Sequence, residues 1–547
     1  MCGGRIRQTL AKTALTFGIV FLLFLPTIRY EQLNFDDDLY VRNNAHMRDG
    51  LTPGNLGWAL TSVGYAYNWH PLAWTSLMSD VSLVRILRGG RTIGDDEWQN
   101  KRNSVARVMH FHNVVLHAAN AALLFLLMGR LLGGKVALIW PFGLALLWAV
   151  HPLRVEVVSW IAERKELLSC SLMLATLLLY TGSRRLALGR YASAVICAAL
   201  AMMAKPVAVT LPAVLFAWDW IFRGRIKWLK ALPFALLSVG TCCLTMMAQT
   251  NAIESAREMG RLSQIRAIFT GPLIYLWQTL WPTDLSIAYE IRPNDLLSGL
   301  EMALGVLLVI GLVVVCLWWL KRRGKVLGIL VFGISWVYMG LMPMLGFVKV
   351  GGQEHSDRYT YWIGCGVCVT VAMLLRLLVP RFRAWFVQCE WSGGMAEYEK
   401  LRKGVRIGTF ALAFVLALMS ASRMRYWRDT VTLYRDAIPK SWNTEIARAL
   451  AGELIGQGPQ GLNEAEEWLR ACIEHHPNVS SVLNLVDLLL RKPVDGLAEQ
   501  FGRPRHEEAR ILLEGILERE PENDRAKRLL KIIEEENRKA GQDVQRE

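Results

Sequence analysis

The sequence predicts an all-α, polytopic membrane protein that ends in a smaller helical domain, and three observations predict it. Hydrophobic residues fill 53% of the 547 positions and Trp alone counts 21. Much of that content is gathered into apolar runs near the roughly 20 residues a helix needs to cross a bilayer. The net charge of +15 is uneven: residues 461–547 hold 14 Lys/Arg against 19 Asp/Glu, net −5, so the first 460 carry +20. Short basic clusters between apolar runs fit cytoplasmic anchoring loops and argue against a nucleic-acid partner. Beyond residue 422 the apolar runs give way to amphipathic helical patterns. The expected domains are therefore a membrane domain, 1–422, and a C-terminal domain, 423–547.

About 11 spans are expected, near 13–29, 106–128, 136–150, 166–182, 190–204, 206–222, 231–249, 299–320, 326–345, 358–379 and 405–421. The first is read as retained, because "LPTIRYEQ" follows it with no small-residue cleavage site. Lys and Arg mark the cytoplasmic side. Arg5, Arg7 and Lys12 precede the first span, and Arg130 and Lys135 flank the turn after the second. "SRRLALGR", "RGRIKWLK", "KRRGK" and "PRFRAWFVQCEWSGGMAEYEKLRKGVR" follow. All share one side only if 265–281 does not cross, so that stretch, with Pro272 and its Trp residues, is read as re-entrant or interfacial. The N-terminus is then cytoplasmic and the C-terminal domain extracytoplasmic. The loop 30–105, "HPLRVEVVSWIAERKE", the region 250–298 and "GFVKVGGQEHSD" share the outer face. The short tail and the lack of long glycosylated loops point to a cell inner membrane.

In the C-terminal domain Ala465, Leu469, Ile473 and Pro477 align with Ala509, Leu513, Leu517 and Pro521, each four residues apart. Thr430, Tyr434, Ile438 and Trp442 form a looser copy. Such spacing puts side chains on one helix face, and the Pro stops the helix. Units of about 34 residues that end this way are tetratricopeptide-like helix pairs. Separations of 35 and 44 make these copies degenerate. Stacks of this kind present a concave surface to a protein partner. A plain helical cap is the competing reading.

Four sequence words suggest chemistry. "NFDDDLYV" sets Asp36, Asp37 and Asp38 just beyond the first span. A solvated loop, an oxygen-ligand site for Mg or Mn, and a general base with its supporting acid all fit that run. "YAYNWHPLAW" interleaves aromatics with Asn68 and His70, either as a sugar-stacking floor or as an interfacial belt. "HPLRVEVVSWIAERKELLS" brings His151, Arg154, Glu156, Glu163, Arg164, Lys165 and Glu166 around Trp160. It reads as a salt-bridged loop or as an anion site, since Arg matches phosphate geometry. "KVGGQEHSDRYTYW" sets Arg358 beside Tyr359 where a span begins, as a grip on a lipid phosphate or a snorkelling Arg. His110, His112 and His117 have poor spacing for a metal and are read with Asn113 as polar packing between helices. Cys365 and Cys368 lack a second pair at zinc-site spacing and are read as small buried hydrophobes.

In order, "NFDDDLYV", "NWHPLAW", "HPLRVEVVSWIAERKE" and "SDRYTYW", followed by tetratricopeptide-like helices, resemble the transmembrane and tetratricopeptide repeat (TMTC-like) family of GT-C membrane glycosyltransferases. The resemblance runs from about residue 30 to the C-terminus. The repeat tail is shorter than the long arrays of eukaryotic members. The resemblance implies a GT-C-like fold and a polyprenyl-phosphate-linked sugar donor. It also implies transfer to a hydroxyl acceptor, protein or glycan, at the outer face. It assigns Asp36 as the base and Asp37 as its support or a metal ligand, with Asp38 as a third carboxylate. Glu156 matches a recurring external-loop acid, Arg164 and Arg358 are expected at the donor phosphate, and His70, His151 and Tyr359 at the substrates. No cofactor is required by the resemblance; Mg or Mn is the candidate if one is used. Two other readings remain open: a lipid-linked oligosaccharide ligase, and a non-catalytic scaffold that recruits partners through the repeat domain. A transporter is disfavoured, because the polar words sit in loops and no paired broken helices are evident.

Overall fold

In hydrocarbon every backbone N–H and C=O needs a partner within its own segment, so apolar runs fold as helices. A computed structural model of the chain describes residues 2–133, 136–181, 187–250, 261–289, 296–344, 355–388, 394–475, 477–491 and 498–544. Lys135, Arg184, Arg185, the stretches 251–260 and 290–295, and most of "GFVKVGGQEHSD" lie outside these residues. Among the described residues every regular element is a helix and none is a strand. They form two compact units, Met1–Asp429 and Thr430–Glu547.

Among the described residues of the first unit eight helices are long and apolar enough to cross a membrane, and the protein is a membrane protein. They are Gly4–Arg29, Ser104–Leu132, Pro206–Arg223, Trp228–Ala248, Gly299–Arg322, Lys325–Met344, Asp357–Phe386 and Met395–Trp427. The other three expected spans take different forms. Around 136–150 the chain makes Ile139–Ala149, then bends by 62° into Pro152–Ser159. The bend follows from "HP": a residue before proline is pushed out of the helical region, and His151 is extended at φ −72°, ψ 137°. The carbonyls freed there find partners, since the Ser420 hydroxyl donates to Val150 O (2.7 Å) and His117 Nε2 lies 3.0 Å from Ala149 O. Arg164–Thr181 opens on buried charges, and Leu188–Ala204 is apolar but only 17 residues long. Arg261–Leu280, which covers the stretch read as re-entrant or interfacial, is a 20-residue helix outside the eight.

Ser104–Leu132 is the central helix and packs on Cys2–Phe24, Ile139–Ala149, Arg164–Thr181 and Thr360–Gln388. Its polar residues stitch these neighbours. His117 Nδ1 lies 2.8 Å from the Tyr361 hydroxyl, Asn120 Nδ2 donates to the same oxygen (3.1 Å), and Asn113 Nδ2 donates to Trp160 O (2.9 Å). The segment after the first span is itself helical, with Pro53–Thr61 and Pro71–Leu87 as its main elements. Its aromatics pack on one another: Trp74 is fully buried, with ring centres of Tyr40, Trp58 and Tyr65 at 4.3, 5.7 and 5.7 Å.

The second unit contains Thr430–Ala437, Thr444–Gly456, Leu462–His475, Val479–Arg491, Ala498–Arg519 and Asp524–Val544, each packed on the next. Two of these helices stop two residues before Pro477 and Pro521.

Candidate functional site

The chain leaves the first span through a short 3-10 turn, Leu25–Arg29, and then reverses at the acidic word. Asp36 sits in the left-handed region at φ +63°, where a β-carbon is strained and Asp is tolerated better than most residues. A single π-helical turn, Asp38–Arg42, follows. Both features concentrate at functional sites more than in ordinary loops.

Asp37 is fully buried. Its Oδ2 accepts from Leu33 N (2.9 Å) and its Oδ1 from Ala162 N (2.8 Å). Trp160 Nε1 donates to Phe35 O (2.8 Å), and the Phe35 and Trp160 ring centres lie 4.9 Å apart. The acidic turn is thereby fastened to the "WIAERKE" segment. Burial pushes the Asp37 carboxyl up to about 8, with the Asp36 charge adding, against the two N–H donors and Arg42.

Glu163 is the hub of the charges beside this turn. Its carboxylate meets Lys205 Nζ at 2.9 Å, Lys165 Nζ at 3.4 Å and Arg358 Nε at 3.6 Å. Burial alone would raise it, but Lys205, Lys165 and Arg358 together hold it well below the usual carboxylate range. Lys205 also reaches Glu166 (2.7 Å). Arg358 Nη1 pairs with Glu156 Oε1 (2.7 Å), while its backbone N donates to Glu156 Oε2 (3.1 Å). Lys165 Nζ donates to the Tyr40 hydroxyl at 3.4 Å and lies 4.7 Å from the Tyr40 ring centre and 5.6 Å from that of Trp160. Its bonds are long, so its charge rests largely on two aromatic faces and on Glu163 and Asp36. His70 lies within reach of the Lys165 and Lys205 charges. Burial, then those two cations, pushes its imidazole well below the usual value, and its buried Nδ1 has no hydrogen-bond partner.

Asp36, Asp37, His70, Glu156 and Arg358 therefore come together around Glu163, with half-buried Tyr359 5.2 Å below the Arg358 guanidinium. Asp38 opens the π-helical turn, and its charge adds to the burial that raises the Tyr65 phenol. Arg164 is 1% exposed and points away from the hub: Nε donates to Asn113 Oδ1 (2.5 Å), Nη1 to Ser76 (2.9 Å) and Nη2 to Asp80 (2.9 Å) and Met109 O (2.5 Å). His151 has both ring nitrogens engaged, Nδ1 accepting from Leu153 N (3.3 Å) and Nε2 3.0 Å from Thr279 O. Asp37 accepts one backbone N–H at each carboxylate oxygen. Among the described residues no three His, Cys, Asp or Glu side chains are placed to hold an ion.

The sequence reading placed Glu163, Lys165 and Glu166 in the candidate anion word without giving them separate roles, and it omitted Tyr40 and Lys205. Lys205 carried a usable signal, as a lone charge between two apolar runs in "AMMAKPVAVT". Tyr40 carried none, since its role depends on a lysine 125 residues away. Compared with known protein families and with curated proteins, the chain matches none.

Proposed function

We propose that the protein is a GT-C-type membrane glycosyltransferase. It moves a sugar from a polyprenyl-phosphate donor to a hydroxyl of a protein or glycan acceptor at the outer membrane face. The observation that carries this reading is a half-buried carboxylate, Asp36, held in a left-handed turn beside the buried Lys165 and Lys205 and the half-buried Arg358. A base and a cationic leaving-group site are what this transfer needs side by side.

In the proposed step the acceptor oxygen attacks the anomeric carbon as Asp36 takes its proton. The bond from that carbon to the phosphate oxygen breaks, and its electron pair leaves with the phosphate. Lys165, the cation with the longest contacts, meets the developing negative charge. Arg358 and Lys205 are held by Glu156, Glu163 and Glu166, whose carboxylates they largely neutralise, which leaves Lys165 the cation freest to turn to the phosphate. Asp37 is a positioning residue: it fastens the turn that carries Asp36 to the segment that carries Lys165. Arg164 braces Asp80 and Asn113 rather than substrate. The neutral His70 is left to hydrogen-bond the sugar. A single displacement inverts the anomeric centre.

The same reading keeps 11 spans, a cytoplasmic N-terminus, an inner-membrane location and a degenerate tetratricopeptide-like second unit on the outer side. Purified protein incubated with radiolabelled polyprenyl-phosphate sugars and cell membranes should move label out of the lipid fraction, and NMR should find an inverted product. A preference for oligosaccharide donors would favour the ligase instead. No release from any donor would overturn the enzyme reading and favour the scaffold.

A further inference from the structure

The second unit carries a cleft that the transfer reading leaves unused. Gly452 and Ile455 of Thr444–Gly456, Leu469 of Leu462–His475, and Asn484, Asp487 and Leu488 of Val479–Arg491 line it, and its volume is about 150 Å³. A cavity of that order accepts a benzene-sized group, so it suits one side chain and not a helix. Its chemistry is two-sided. Ile455, Leu469 and Leu488 are apolar, while Asn484 and Asp487 stand three apart on one helix and share a face.

Gly452 is informative. A glycine inside a helix costs about 1 kcal/mol relative to alanine. Packing within the protein does not call for it, because a β-carbon there would meet nothing within 4 Å. The space it leaves belongs to the cleft. The polar end already holds a cation of this chain: Arg525 Nη2 lies 2.6 Å from Asp487 Oδ2 and 3.2 Å from Asn484 Oδ1. Arg525 is 43% and Asp487 27% exposed, so the pair is weak enough to exchange. Residues 461–547 carry net −5, which favours a cationic visitor.

We propose that this cleft binds an arginine or lysine side chain of an extended peptide, and that Arg525 is a tethered stand-in which the incoming residue displaces. The alkyl stem lies along Ile455 and the open face of Gly452, over a floor backed by the buried Leu469 and Leu488, and the charged head takes over Asp487 and Asn484. Long cationic side chains split their contacts in this way. The inference is independent of the transferase reading.

The test uses the full chain in detergent and a fluorescein-labelled peptide of alternating arginine and alanine, followed by thermophoresis. Arg525→Gln should bind it about fivefold more tightly than the unmodified protein, as removal of a weak competing pair predicts. Asp487→Asn and Gly452→Leu should lose binding, with circular dichroism showing both still folded, and a glutamate–alanine peptide should not bind. Equal binding across the variants, weaker binding to Arg525→Gln, or no binding even to Arg525→Gln would overturn the proposal.

Discussion

The adjacent residues Arg164 and Lys165 have different partners, because successive helical side chains point about 100° apart. Arg164 turns toward Asp80 and Lys165 toward Tyr40. Arg164→Met leaves the buried Asp80 without its guanidinium, and removal of one partner of a buried pair costs about 3–5 kcal/mol. The expected result is poor yield and a lower melting temperature in detergent. Lys165→Met leaves Glu163 with Lys205 and Arg358, so the protein should melt near its usual temperature yet lose transfer. Asp37 adds a pH dependence. Burial lifts it from 3.8 to about 8, so the folded chain holds this proton more tightly than the unfolded chain. The stability it contributes is full below about pH 4 and is lost as pH rises toward about 8. Melting temperatures should fall across that window, and Asp37→Asn should flatten the profile; an unchanged slope would contradict the assignment. The acidic word itself stood out in the sequence. Its division of labour did not, because Asp37 is defined by an N–H 125 residues away.

At the scale of elements, apolarity and proline made most helices legible, and what they missed is physical. The expected four-residue stripe in the second unit becomes Ala465, Leu469 and Cys472, and Ala509, Leu513 and Ile516, in the buried positions. Steps of four overshoot a 3.6-residue turn, so the third buried site falls at the seventh residue, and Ile473 and Leu517 rotate partly outward. The loop 30–105 read as aromatic words and turned out to be helices packed around Trp74, a non-local arrangement that spacing does not encode. The bend after Ala149 was marked by "HP", but its repair by Ser420 and His117 was not. Ser420→Ala should leave the Val150 carbonyl without that donor and cost about 1–3 kcal/mol. A denaturation series in detergent that shows no loss would mean another group satisfies that carbonyl.

For the whole molecule, charge asymmetry is the feature that most constrains function. The basic clusters lie between apolar helices, whereas the candidate site gathers Asp36, Glu156, Glu163, Lys165 and Arg358 from three separated segments. The proposed topology puts those three segments on one face. Alkaline phosphatase fused after residue 324 should be inactive and fused at the C-terminus active; the reverse pattern would contradict it. The most direct test of the central claim compares the unmodified protein with Asp36→Asn in transfer from labelled polyprenyl-phosphate sugar. Loss of a general base should slow transfer about 10²–10⁴-fold while the melting temperature holds. Transfer by Asp36→Asn at the unmodified rate would contradict the account.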